Sequence, residues 1–184
     1  MYSEKVNAID TNGASLIANT GMDEKIQING SYNVECIGEN GEIKWTDTIK
    51  NLVVTVGKND LLDKYFAGSA YTAAWYMGLV DGASTPTYAA TDTLASHAGW
   101  TESTAYSGSN RITVAWNAAS AGSKASTATS FSINATATIA GALLTVTQVR
   151  ATTTGVLYSA GNFSGGSRSV ASGDTLLVTY TASV

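Results

Sequence analysis

Two-residue alternation of apolar and polar residues is the feature of this sequence that most limits its fold. It runs through Tyr32–Ile37, Ile112–Trp116, Phe131–Ile139 and Leu176–Thr181. Side chains of a β-strand point alternately to opposite faces of the sheet, so such a segment buries one face and exposes the other. The pattern predicts strands of antiparallel sheets, each with one apolar and one polar face.

The composition favours the same fold class. The 184 residues include 27 alanines, 25 threonines, 20 serines and 18 glycines, about half the chain, and 13% of residues are charged. Threonine is β-branched, and serine and glycine are poor helix formers, so this mixture favours short strands and turns. A single cysteine excludes a disulfide scaffold and a cysteine-rich zinc site.

A β-hairpin is predicted near the start of the folded region. Asn40-Gly41 separates two alternating segments, and this dipeptide favours a two-residue type I′ turn, in which both central residues have positive φ. The turn would place Cys36 opposite Trp45 on one face of the hairpin. Cys36 is therefore interpreted as a small core residue and not as a nucleophile.

One helix is predicted after a strand over Leu52–Val56. Residues 57–60 can cap this helix, which is expected to end near Gly68. Its apolar side chains recur at three- and four-residue spacing: Leu61, Leu62, Tyr65 and Phe66. The following segment, Ala73–Val80, is apolar almost throughout, which is typical of a strand covered on both faces.

Further short strands are predicted at Leu144–Val146 and Gly155–Ala160, with loops over residues 118–129 and 161–173. A second helical turn is predicted over Leu94–Ala98, capped by Thr91 or Asp92. About eight strands with one or two short helices predict an all-β fold, an antiparallel jelly-roll or Greek-key β-sandwich.

The sandwich is assigned to residues 31–184 and an extended arm to residues 1–30. The arm is mainly polar, with only a brief apolar stretch at Leu16, Ile17 and Ala18, so it buries too little apolar surface to fold alone. No repeat and no shift of composition indicates another domain.

Charge is distributed unevenly along the chain. Residues 1–102 hold 13 of the 14 acidic and six of the ten basic residues, and the net charge is −4. Scattered bases argue against nucleic-acid binding, which needs a clustered basic surface. Apolar runs fall short of the roughly 20 residues that span a bilayer, and Met1–Lys5 is polar. We expect no membrane contact, no signal peptide, and a soluble protein made in a reducing cytosol.

The sequence offers no group of residues typical of catalysis. His97 is the only imidazole, and no Gly-x-Ser-x-Gly motif accompanies it. Asp60 and Asp63 share a helix face but lie beside lysines, as on a solvated surface. The glycines at 161, 165 and 166 lack the Gly-Lys-Ser/Thr of a phosphate-binding loop. We predict no catalytic residue, no metal ligand and no cofactor.

The aromatic residues allow two interpretations, a sugar-binding platform or packing in the core. A platform for stacking sugars would use exposed rings, whereas rings in or beside strands usually pack in the core. Core packing is the favoured interpretation. The residues concerned are Trp75, Trp100 and Trp116 with Tyr71, Tyr76 and Tyr106.

Several segments resemble those of small virion proteins of tailed bacteriophages, both in their residues and in their spacing along the chain. The resemblance covers roughly residues 30–184 and contains no catalytic signature. The segments are KNLVVTVGKNDLLDKYF (50–66), GSAYTAAWYMGL (68–79), ASHAGWTE (95–102), LYSAGNF (157–163) and GDTLLVTYT (173–181).

The resemblance implies a non-enzymatic structural protein of the virion, made in the bacterial host cytoplasm. Such β-sandwich proteins bind the outer capsid as trimeric cement or decoration proteins, so the implied partners are the major capsid protein and two further copies. We hypothesise that residues 1–30 extend across a neighbouring subunit. The hypothesised interface residues are Leu16, Ile17, Trp100, Arg111 and Arg168.

Three other functions remain as alternatives. The chain could be a neck or tail-fibre component of the virion, present in fewer copies than a cement protein. It could be a carbohydrate-binding sandwich that uses its tryptophans. An enzyme that uses His97 is the weakest alternative.

Overall fold

The computed structural model describes residues 27–66 and 74–184. Within these residues the chain forms eleven strands and one helix. Their bounds are β1 Asn29–Ile37, β2 Ile43–Lys50, β3 Leu52–Val53, α1 Thr55–Phe66, β4 Trp75–Asp81, β5 Ile112–Val114, β6 Ser123–Ala125, β7 Thr129–Ser132, β8 Ala137–Thr145, β9 Leu157–Asn162, β10 Arg168–Val170 and β11 Thr175–Ser183.

The strands form two antiparallel sheets that pack face to face. In sheet A the order is β2-β1-β11, and β6 and β7 pair with successive parts of β11. In sheet B the order is β3-β9-β8-β4-β5, and β10 pairs with the start of β8. The predicted all-β antiparallel sandwich is confirmed.

The main core lies between the two sheets. Tyr32 and Val34 of β1 and Met77 and Leu79 of β4 are buried there in one cluster. The Tyr32 hydroxyl reaches across the core to the Ser159 hydroxyl of β9, at 2.8 Å. A buried phenol needs such a partner, and this bond joins the two sheets through the core.

The outer face of sheet B is also covered. Val80 and Leu143 alternate with the inward-facing residues of β4 and β8, and they pack with Leu94 and Trp100 from the long β4–β5 connection. Both faces of β4 are therefore buried, as predicted for the described part of Ala73–Val80. This covering layer explains why β4 and β8 are almost wholly apolar.

The hairpin has the predicted register but a different turn. Gly41 has φ 85°, and Asn40 does not have positive φ, so the turn is a three-residue loop over Glu39–Gly41 and not type I′. Cys36 lies opposite Trp45, as predicted. An irregularity at the next pair makes Lys44 an extra residue in β2, which offsets the longer loop and restores the register.

The helix begins earlier than predicted. The Val54 N–H donates to the Tyr158 carbonyl and the Thr55 N–H to the Ala90 carbonyl, so tertiary contacts satisfy these amides and α1 starts at Thr55. The predicted strand over Leu52–Val56 is thereby reduced to the two residues of β3. Gly57 packs against the Tyr158 backbone, where a Cβ would lie 2.6 Å from the carbonyl oxygen. The predicted end near Gly68 lies outside the described residues.

Other strand predictions differ in their boundaries. The alternation over Phe131–Ile139 is divided between β7 in sheet A and β8 in sheet B, because the chain crosses between sheets at residues 133–136. The two predicted long loops contain the short strands β6 and β10. Residues 94–98 form bends and turns and not a helix. Of the predicted arm, residues 1–26 lie outside the described part, and Asn29 and Gly30 belong to β1.

Candidate functional site

The C-terminal half of α1 carries a surface of exposed apolar side chains. Tyr65 is 81% exposed, Phe66 69% and Leu62 43%, and the Tyr65 and Phe66 rings meet edge to face with centroids 5.0 Å apart. We call these three residues the α1 apolar surface. The helical spacing of the four apolar residues therefore does not mark a buried face, since only Leu61 among them packs against the core. Clustered exposed aromatics are typical of contact surfaces between proteins.

A pocket of about 470 Å³ adjoins this surface. Its lining combines residues of α1 with Tyr180 and Ala182 near the end of β11. Leu61 and Tyr65 of α1 form one side, and Ala182 of β11 lies on the lining. Its walls are mainly aromatic: Trp75, Trp116, Tyr158 and Tyr180.

The aromatic rings that line the pocket contact one another edge to face. Trp75 lies 5.2 Å from Tyr158 and 6.4 Å from Trp116, measured between ring centroids. Tyr180 lies 6.1 Å from Trp116 and 6.4 Å from Tyr158. Edge-to-face contacts of this kind hold rings in fixed orientations, so the pocket is preformed.

One polar group in the pocket walls lacks a partner. The Trp116 indole N–H is shielded from solvent and has no acceptor among the described residues. Leaving such a donor unpaired costs about 1–3 kcal/mol. Charged side chains also border the pocket: Asp60 and Lys64 pair at 2.8 Å, and the Lys124 ammonium donates to the Asn117 carbonyl. The shielded indole N–H does not open onto the pocket, so the accessible walls fit an apolar group.

Trp100, a hypothesised interface residue, is buried beneath the covering layer of sheet B, with 4% of its surface exposed. Its indole N–H donates to Asp92 at 3.0 Å, and His97 stacks on its ring at 4.0 Å. The His97 Nδ1 is 3.0 Å from the Trp100 carbonyl oxygen. Trp100 thus holds the covering layer together and offers almost no surface to another subunit.

Arg111, another hypothesised interface residue, is 3% exposed. It forms two hydrogen bonds of 2.9 Å with the Glu102 carboxylate and donates to the Thr147 and Val149 carbonyls, also at 2.9 Å. These bonds join the covering segment to the loop after β8. Four of its five guanidinium N–H groups are thereby paired within the subunit.

Arg168 is the most accessible of the hypothesised interface residues that the structure describes, with 36% of its side chain exposed. It binds Asp47 through Nε at 3.0 Å and Nη2 at 2.8 Å, which joins β10 of sheet B to β2 of sheet A. Burial alone would raise the pKa of Asp47, but hydrogen bonds from Arg168 and Ser164 outweigh it and lower that pKa. The remaining hypothesised residues, Leu16 and Ile17, lie outside the described part.

The structure separates the aromatic residues considered for sugar binding. Trp75 and Trp116 meet at the pocket, whereas Trp100 lies beyond the other face of sheet B. Tyr106 is buried edge-on against Phe131, and Tyr71 lies outside the described residues. Tyr76 points to the face of β4 opposite Trp75. The three indoles therefore do not form one stacking platform.

Cys36 is a fully buried member of the main core, as predicted. Burial, followed by the nearby Asp174 carboxylate, raises the pKa of its thiol to about 11. Asp174 itself accepts hydrogen bonds from Lys44 at 2.6 Å and from the Ala171 N–H at 2.8 Å. This cluster of contacts joins the β1–β2 hairpin to the turn before β11, which is a structural role.

Within residues 27–66 and 74–184 no three His, Cys, Asp or Glu side chains converge as metal ligands would. In the same part of the chain no helix has both the length and the apolar character needed to cross a membrane.

Sequence reasoning missed the pocket and the α1 apolar surface. Trp75 and Trp116 were singled out by residue type, but the pocket draws on α1, β4, β8, β9 and β11, which only tertiary folding brings together. Comparison with models of known protein families gives no match, and comparison with curated proteins gives none either.

Proposed function

We propose that the chain is a structural protein of a tailed-bacteriophage virion, a decoration or cement protein that binds the outer capsid as an oligomer. The observation that carries the proposal is the α1 apolar surface, with Tyr65 81% and Phe66 69% exposed. Such aromatic side chains gain most when a partner covers them, because each buries a large area with few rotatable bonds. The sequence resemblance to small virion proteins supports the same proposal.

The packing of the sandwich suits a role in holding a shell together. Three charge pairs join separate parts of the chain: Asp47 with Arg168, Lys44 with Asp174, and Glu102 with Arg111. A stiff body loses little conformational entropy when it docks, and repeated attachment through several copies multiplies a modest affinity. Binding to a lattice therefore needs only a small contact surface on each subunit.

Copy number in purified particles tests the proposal. Quantitative mass spectrometry of virions from the phage that encodes the chain should find it at a level comparable to the major capsid protein. A few tens of copies would indicate a neck or tail-fibre component instead. Absence from washed particles would reject a virion role.

A matched pair of variants tests the contact surface. Tyr65→Ser with Phe66→Ser should reduce particle occupancy at least tenfold, because it removes the aromatic contact without touching the core. Ile43→Ser is the control, since Ile43 is 62% exposed at the hairpin end of the sandwich, away from α1. Equal occupancy for both proteins would show that the α1 apolar surface does not contact the shell.

A further inference from the structure

We propose that the aromatic pocket is a binding site for an apolar carboxylic acid of the size of a medium-chain fatty acid. The apolar body of the ligand would lie against the aromatic walls, and its carboxylate would face Lys124 at the rim. The site is built within one subunit, so the inference goes beyond the proposed function and does not depend on it.

The pocket has the size and the lining of a small-molecule site. Its volume of about 470 Å³ lies within the range of about 300–1,000 Å³ that such sites occupy. Aromatic rings form most of the lining, and the aliphatic side chains of Leu61, Leu144 and Ala182 complete its apolar part. A ligand that binds there needs a largely apolar body, because a polar body would lose its hydration without gaining enough hydrogen bonds.

The Tyr158 hydroxyl is a polar group that the ligand can engage. Tyr158 lines the pocket and is 5% exposed. Its hydroxyl forms no hydrogen bond with the described residues and, unlike the Trp116 indole N–H, it retains accessible surface. Burial raises the pKa of this phenol, and the nearby Tyr180 and Asp60 raise it further, so the hydroxyl stays protonated. An oxygen of a bound ligand can therefore accept its hydrogen bond.

The charge at the rim selects an acid. Asp60 and Lys64 form an ion pair at 2.8 Å and compensate each other. The Lys124 ammonium donates to the neutral Asn117 carbonyl at 2.8 Å, and no carboxylate in the described part of the chain pairs with it. The rim therefore carries one uncompensated positive charge. A carboxylate is attracted to this charge, whereas an amine is repelled by it.

Strand register places this cation beside the apolar walls. Lys124 of β6 is paired with Ala182 of β11, and paired residues share a face of the sheet. Tyr180 lies two positions before Ala182 on β11 and therefore points to the same face. The ammonium and part of the aromatic wall thus belong to one side of sheet A, so a single ligand can contact both.

Binding of decanoate, decanol and decyltrimethylammonium to the purified full-length chain tests the inference. These three probes share an apolar chain and carry a negative, a neutral and a positive head group. Isothermal titration calorimetry below their micellar concentrations should show that decanoate binds about fivefold more tightly than decanol. Decyltrimethylammonium should bind most weakly. Higher salt concentration should reduce the advantage of decanoate over decanol.

A matched pair of lysine variants assigns the selectivity to the rim. Lys124→Gln should abolish the advantage of decanoate over decanol. Lys50→Gln should preserve it, because Lys50 is exposed and does not line the pocket. Ala182→Phe places a larger side chain on the lining and should block all three probes. Thermal unfolding of each variant verifies that it is folded.

Three results would overturn the inference. Equal affinity for decanoate and decanol, or equal effects of Lys124→Gln and Lys50→Gln, would show that the rim does not select an acid. Absence of binding, or binding that Ala182→Phe leaves unchanged, would show that the pocket is not the site. Binding to phosphatidylglycerol vesicles but not to free decanoate would show that the protein inserts into a lipid layer instead. Copy number in virions tests the proposed function separately.

Discussion

Replacement of Arg111 by leucine removes one partner of an ion pair whose other partner, Glu102, is largely shielded from water. The Arg111 and Glu102 side chains are 2% and 9% exposed, and they share two hydrogen bonds of 2.9 Å. Arg111→Leu leaves the Glu102 carboxylate buried without its counter-charge and removes the donor to the Thr147 and Val149 carbonyls. Loss of one partner of a buried pair costs about 3–5 kcal/mol of unfolding free energy.

The double variant is expected to be more stable than either single variant. Arg111→Leu with Glu102→Leu removes both charges, so the remaining cost comes from the two carbonyls and the altered packing, about 2 kcal/mol. Each single variant should lower the thermal midpoint by roughly 10 °C, given the size of the domain. Urea denaturation followed by tryptophan fluorescence measures all three free energies.

A more exposed ion pair provides the control for this cycle. Asp60 and Lys64 lie one helical turn apart at 2.8 Å and are more exposed than the buried pair. Lys64→Leu should therefore change the unfolding free energy by no more than about 0.5 kcal/mol. The reasoning is refuted if Arg111→Leu costs less than 1 kcal/mol, or if the effects of Arg111→Leu and Glu102→Leu simply add in the double variant.

Three further outcomes are expected. At pH 8 Cys36 should react with iodoacetamide at least tenfold more slowly in the native protein than in urea. A pKa of about 11 leaves on the order of one native thiol in a thousand ionised. Equal rates would contradict the burial of Cys36. The folded state lowers the pKa of Asp47, so the ionised carboxylate stabilises the fold at pH values above the unfolded pKa of 3.8. This stabilisation is lost as the pH falls through the lower folded pKa. Asp47→Asn should therefore flatten the pH dependence of the unfolding free energy below pH 5. Gly57→Ala should destabilise the fold by about 1–2 kcal/mol in urea titrations, since the clash with the Tyr158 carbonyl exceeds the helix-propensity gain; a more stable variant would show that α1 can move away.

Part of the candidate site was accessible from sequence only as residue types. Trp75 and Trp116 stand out as aromatic residues beside predicted strands, but nothing in their spacing indicates that they meet at one pocket. Tyr65 and Phe66 share helical spacing with Leu61 and Leu62, yet the structure leaves both exposed. Helical spacing shows which residues share a face and not whether the fold provides a partner for that face.

The local pattern by itself determined the strand character of the chain and the burial of individual positions. Alternation predicted the antiparallel sandwich, the position of Asn40-Gly41 predicted the pairing of Cys36 with Trp45, and the continuous apolar run predicted the covered faces of β4. These properties follow from the two-residue period of a strand and from short-range pairing, which the sequence carries directly.

Only the tertiary structure decided where the chain changes sheets and which polar groups become internal. The alternation over Phe131–Ile139 continues through the crossing between sheets, so it cannot mark that crossing. The start of α1 depends on carbonyls of Tyr158 and Ala90, and the burial of Arg111 depends on Glu102 and the loop after β8. Contacts between residues far apart in the chain set these features, and no local pattern encodes the identity of a distant partner.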